Sequence, residues 1–368
     1  MLNVSIFNLF QKNLTEITFK SFIIVFSLYV ILISCTKKRN ELSISEAEEQ
    51  NEFNAFTDQA RVVGYLPFYR FSALENIAFC NVTHLNIAFF NPDENGNLIL
   101  PESQSVFSLT DIIETAKSQN PSIKVFISLA GGALSDDQSR IWKSFLDDGS
   151  QRSILIKKII NYIRNNDFDG VDVDIEWEHV SSGYSNFILE LKAAMILVSK
   201  SLSAAFPSET LYSNLTSEAI AALDFINIMA YDYTWPWNPK NIGHHSSFIH
   251  AENGIKFWRD IVSVPPEKLN LGVPFYGWDF QNATTVVAKT YGSIVDADSS
   301  NSEKDVVGNF FYNGMETIRS KTRLAAEEVG GIMIWELGQD AFNDFSLLQT
   351  IHNSYWGLGV ETTGLCKN

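Results

Sequence analysis

Asp172, Asp174 and Glu176 stand two residues apart in the stretch Asp169-Gly170-Val171-Asp172-Val173-Asp174-Ile175-Glu176. In an extended strand that spacing puts the three carboxylates on one face and Val171, Val173 and Ile175 on the other. Two carboxylates held ~4 Å apart repel by about 4 kcal/mol at an effective dielectric of about 20. One of them then keeps a proton at a pH where an isolated acid has lost it. Acids tuned against one another in this way are the raw material of general acid catalysis. Two blander readings fit less well. A calcium loop wants a glycine at its sixth position, whereas Gly170 precedes the acids. A solvated edge strand would leave Val171, Val173 and Ile175 uncovered.

The rest of the chain must hold this strand in place. Short apolar runs read as strands at 61–67, 83–90, 124–130, 202–207, 224–232, 269–274 and 330–335. Helical periodicity covers 108–118, 150–165, 184–201, 253–261, 314–328 and 345–352. With the acidic strand, that makes eight strands, most of them followed by a helix. Such alternation implies a parallel sheet covered on both faces. Eight units suggest an α/β fold of the (β/α)8 TIM-barrel type, with a single catalytic domain at 61–357 and a tail at 358–368. A doubly wound open sheet is the alternative, but no Gly-x-Gly-x-x-Gly follows the first strand. In a barrel, chemistry gathers at the carboxyl ends of the strands, where Glu176, Tyr231, Asp232 and Trp335 fall.

The 368 residues carry a formal net charge of −16. An acidic surface argues against a nucleic-acid backbone as partner and suits a neutral substrate. Three cysteines, Cys35, Cys80 and Cys366, argue against a disulfide framework and leave a Cys80–Cys366 pair open. Lys12 and Lys20 precede an apolar run from Ser21 to Ser34. That run falls short of the ~20 residues a membrane span needs and matches a signal-peptide core. Its end, Leu32-Ile33-Ser34-Cys35, resembles a bacterial lipobox. Residues 1–34 are thus expected as signal peptide, Cys35 as the lipid attachment site, and 35–60 as a polar tether. The expected location is the bacterial cell envelope, with the protein a monomer anchored by lipid to the outer membrane or cell surface. His244-His245 lacks a third ligand at fixed spacing, so no metal is expected, and no cofactor either.

Taken together, these segments resemble glycoside hydrolase family 18, the chitinase family. Asp169 to Glu176 matches its DGxDxDxE signature. Ser128-Leu129-Ala130-Gly131-Gly132 matches its SxxGG strand, and Met229-Ala230-Tyr231-Asp232 its MxYD strand. The runs 271–277 and 331–336 are similar to its seventh and eighth strands. The resemblance spans about Val62 to Trp356. It departs at Ala133, where many members have tryptophan, and at Trp278, where many have arginine. The span between those last two strands is too short for the extra α+β insertion of some members, which implies a shallower groove.

The resemblance implies a retaining, substrate-assisted endo-hydrolase of β-1,4-linked N-acetylglucosamine oligo- or polysaccharides. Glu176 would be the proton donor. Asp174 would orient the substrate's N-acetyl group, Asp172 would share a proton with Asp174, and Tyr231 would donate to the N-acetyl oxygen. Trp335 would floor the pocket. Asp232 is expected to bond the sugar or tune Glu176, and Met229 and Trp278 to touch substrate, with Trp177, Trp235 and Trp237 as further sugar platforms. Tyr65 and Phe89 either wall the pocket or pack in the core. Two rivals remain open: an endo-β-N-acetylglucosaminidase acting on N-glycan cores, and a non-catalytic carbohydrate-binding protein.

Overall fold

The computed structural model describes residues 55–282 and 284–362. The expected signal peptide, Cys35 and most of the tether lie outside the described residues, as does Cys366. Among the described residues, no helix is long and apolar enough to cross a membrane. Cys80 is disulfide-bonded.

Eight strands form the centre: β1 (Gln59–Pro67), β2 (His84–Pro92), β3 (Lys124–Ala130), β4 (Gly170–Asp174), β5 (Ser201–Pro207), β6 (Phe225–Met229), β7 (Leu269–Pro274) and β8 (Gly331–Trp335). Each pairs in parallel with the next. β8 returns to β1, with Arg61 opposite Gly331, and closes the ring. The fold is therefore the (β/α)8 barrel the strand count implies. Val171, Val173 and Ile175 are fully buried on the side of β4 away from its acids. A closed sheet needs both faces covered, and the helices supply the outer cover.

Local sequence sets the helix starts. Ser108 and Asp111 form a capping box at Leu109–Gln119, and Ser135 and Gln138 another at Asp136–Asp147. The latter helix escaped the periodicity reading. Ile156, Ile159 and Ile163 seat the helix Gly149–Asn165 through buried positions three and four apart.

The domain reaches beyond the limits 61–357. Gln59 and Ala60 pair in parallel with Glu361 and Thr362, so part of the expected tail is folded against the start of β1. The span between β7 and β8 is folded too, within the same compact unit as the barrel. It holds a four-stranded antiparallel sheet built from Tyr276–Asn282, Thr285–Thr290, Val306–Val307 and Phe310–Phe311, with the helix Tyr291–Ala297 between. Period two puts Tyr276 and Trp278 on one face of the first of these strands. Both side chains point to the end of β6, where Asp232 stands.

Candidate active site

Barrel register builds the innermost part of the site. Asp172 lies opposite Ser128 on β3 and Ser203 on β5. Its Oδ2 accepts hydrogen bonds from Tyr65 Oη (2.7 Å) and Ser128 Oγ (2.8 Å). Its Oδ1 accepts from Ser203 Oγ (2.6 Å) and Asn227 Nδ2 (3.3 Å). Donors from β1, β3, β5 and β6 can converge on one group only in the barrel interior. Asn227 is held in turn by Asn270 (2.9 Å), and Asn270 by Arg61 (2.9 Å), so the polar chain runs down the barrel. Burial raises the Asp172 pKa, and the donors oppose that rise. With two donors on each oxygen, the geometry is that of a carboxylate anion.

Asp174 differs. It is buried, and its Oδ1 has no hydrogen-bond partner. Burial, then the charge of Glu176, then that of Asp172 hold its carboxyl well above the usual range. All three influences push the same way, and no hydrogen bond to Oδ1 offsets them. Asp172 has four donors of its own, and no hydrogen bond joins it to Asp174.

Glu176 stands just past the end of β4 and opens onto the groove. Gly132 lets it do so, because a Cβ at Gly132 would collide with the Glu176 carboxyl. Burial pushes the Glu176 pKa up to about 7, and the Asp232 charge adds to that. The chain then turns sharply at Trp177, whose φ of 50° is in the left-handed region that bulky residues avoid.

A groove of 860 Å³ opens at the carboxyl ends of the strands. Glu176, Asp174, Tyr231, Asp232, Met229, Tyr65, Phe89 and Trp335 all line it. Trp335 stacks on Phe89 at 5.6 Å and 18° and forms the floor. Tyr65 serves both expectations, with its ring at the wall and its hydroxyl on Asp172. The Tyr231 hydroxyl has only the soft sulfur of Met333, at 3.8 Å, as an acceptor, which leaves it open to a better one. Trp177, Trp235 and Trp237 line the mouth in a row, with successive ring centroids 6.2 and 6.5 Å apart.

Trp278 does not line this groove. Its indole N–H donates to Asp232 Oδ1 (2.8 Å), beside the Tyr276 hydroxyl (2.5 Å). His245 is buried with Nδ1 3.2 Å from the same oxygen. Among the described residues, no three His, Cys, Asp or Glu side chains come together as a metal would require. Glu336 is buried and paired with Arg70 at 2.8 Å. Sequence reasoning missed Ser203, Asn227, Asn270, Tyr276 and His245. The first three are polar residues at inward positions of otherwise apolar strands, which is a usable signal.

Comparison with known proteins agrees with this geometry. The family described as Glycosyl hydrolases family 18 matches residues 61–340. The solved GH18 chitinase ChiB from the chitin utilization locus of Flavobacterium johnsoniae is 44% identical, with a TM-score of 0.82 over 85% of this chain and 99% of that one. A class V chitinase of Arabidopsis thaliana is 25% identical over 331 residues, or 76% of this chain and 86% of that protein. The chitinase-like agglutinin RobpsCRA from Robinia pseudoacacia is 25% identical, with a TM-score of 0.65 over 80% of this chain and 99% of that one. The match runs from the first barrel strand to past the last and takes in every carboxylate of the groove, and on that ground the chain belongs to glycosyl hydrolase family 18 and is a glycoside hydrolase.

Proposed function

We propose that this hydrolase cleaves β-1,4-linked N-acetylglucosamine polymers internally and with retention, the substrate's own N-acetyl group acting as nucleophile. One observation carries the reading. Asp174, with a free oxygen, and Tyr231, with an uncommitted hydroxyl, both line the groove above Trp335. They suit an amide group held in place, whereas an enzymic nucleophile would have to be an ionised carboxylate at the reacting carbon. Asp172 is tied by four donors, and burial with neighbouring negative charge disfavours the ionised form of Asp174, so neither suits that role.

In this mechanism Glu176 protonates the leaving glycosidic oxygen. The N-acetyl carbonyl oxygen attacks the sugar C1, and a cyclic oxazolinium forms. Tyr231 steadies that oxygen while Asp174 orients the amide and meets the positive charge as it develops. Glu176, now a carboxylate, takes a proton from the water that reopens the ring, and the β-configuration returns. An intramolecular nucleophile is worth ~7–11 kcal/mol when well aligned. The Flavobacterium relative, named as a chitinase of a chitin utilization locus, supports chitin as the polymer. The tryptophan row at the mouth offers stacking surface for further sugar units.

Ala133, exposed at the groove, favours a second reading, an endo-β-N-acetylglucosaminidase on N-glycan cores, because it leaves room for a bulky leaving group. Side-by-side digestion of N-acetylchitotetraose and a high-mannose glycoprotein decides between them. Faster release from chitotetraose supports the first reading, and glycan trimming alone overturns it. A lipid anchor at Cys35 belongs to the same proposal: Cys35→Ser is expected to move the protein out of the membrane fraction, and full retention there would refute the anchor.

A further inference from the structure

Asp232 is the carboxylate of this groove that does not come from the β4 segment, and two neutral donors hold one of its oxygens. Tyr276 Oη and Trp278 Nε1 donate to its Oδ1, and His245 Nδ1 lies beside that atom. Tyr276 and Trp278 are neutral donors. His245 Nδ1 lies 3.2 Å from that oxygen and 3.4 Å from the Asp232 backbone nitrogen. Among the described residues, no lysine or arginine pairs with Asp232. Lys289, the cation on the neighbouring strand of the hairpin, pairs with Asp279 at 2.7 Å instead. The side chain is thus fixed through one oxygen, and the tyrosine and tryptophan that donate to it bring no charge. Neutral hydrogen bonds orient a carboxylate, but a cation in their place would also quench its field.

We propose that Trp278 is a positioning residue for the proton donor: its neutral indole N–H fixes Asp232 in the groove that carboxylate shares with Glu176, without bringing a positive charge to it. The inference rests on Glu176 being the proton donor. The rise in the Glu176 pKa agrees with it, since Asp232 is the charge that contributes after burial. The other titratable groups around this pair are Asp174 on β4, Glu178 just after it, the hydroxyls of Tyr184, Tyr212, Tyr231 and Tyr276, and His245 on the loop after β6. Trp278 itself is only half-buried, so the position tolerates other side chains.

The test is the pH profile of kcat/KM on N-acetylchitotetraose for the wild type and for Trp278→Arg, Trp278→Lys and Trp278→Gln. The alkaline limb reports loss of the Glu176 proton. Arginine or lysine brings a cation to Asp232, so the limb is expected to move to lower pH by about one unit. Glutamine brings a neutral N–H donor, so its limb is expected to stay with the wild type even if its plateau falls. A purely structural role would move all three variants alike. That result, or an unmoved limb in whichever cationic variant folds, overturns the inference. Glu176→Gln is run in parallel: if it keeps hydrolysis, the proton-donor reading itself has failed, and if it is inactive the Trp278 result stands on its own.

Discussion

Asp172 and Asp232 belong to the same site and are held in opposite ways. Asp172 lies inside the closed barrel, with two donors on each oxygen. Asp232 stands where the barrel opens, and the side-chain groups that hold it all meet one oxygen. The first is a satisfied anion with nothing left to offer a ligand. The second keeps an oxygen for the groove. Asp174 and Glu176 lie between these extremes, and burial together with neighbouring charge raises the pKa of both. The position of a carboxylate along the barrel axis thus decides whether it acts on structure or on substrate.

The contrast can be broken from either side. The largest effect belongs to the open end. Glu176→Gln keeps the shape and removes the proton, so kcat on N-acetylchitotetraose is expected to fall about 10²–10⁴-fold, with binding retained by calorimetry. Turnover near the wild-type rate would move the acid elsewhere. Next comes the middle of the set. Asp174→Asn is expected to lower kcat about 10²-fold or more with little change in KM, because its charge matters most once the intermediate is positive. Equal damage to KM would make it a ground-state contact instead.

The smallest and sharpest test compares donors. Asn227→Leu removes a donor from a buried anion, and is expected to cost about 1–3 kcal/mol of stability in urea unfolding. Tyr276→Phe removes a donor from the half-buried Asp232, and is expected to change stability less while lowering kcat/KM. The opposite pattern would show that Asp232, and not Asp172, is the structural carboxylate. The wild-type pH profile bears on both ends. With the Glu176 pKa near 7, kcat/KM is expected to fall as pH rises through neutrality, because the acid form is lost.

The acidic strand was legible because period two separates its carboxylates from its valines, and because its partner motifs occur in order along the chain. The other seven barrel strands followed from apolar runs. What stayed hidden depended on pairing across the barrel. Nothing in sequence says that Ser203 and Asn227 reach Asp172, since they meet it only when β4, β5 and β6 lie side by side. The small sheet before β8 was missed because two of its strands are two residues long. Trp278 was read as a sugar platform because a tryptophan can stack or donate, and only its position behind Asp232 tells which. The expected tail at 358–368 failed in part because a two-residue pairing with β1 leaves no periodic signal.

The central claim is that the nucleophile belongs to the substrate. ¹H NMR of N-acetylchitotetraose digested in the spectrometer reads the anomer before mutarotation. Attack by the N-acetyl carbonyl followed by water inverts C1 twice, so the β-anomer is expected first. An α-anomer appearing first would mean a single inversion by water, activated by a second carboxylate. Asp232 would be the candidate, since Glu336 is buried against Arg70, and the roles given to Asp174 and Tyr231 would fall with that result.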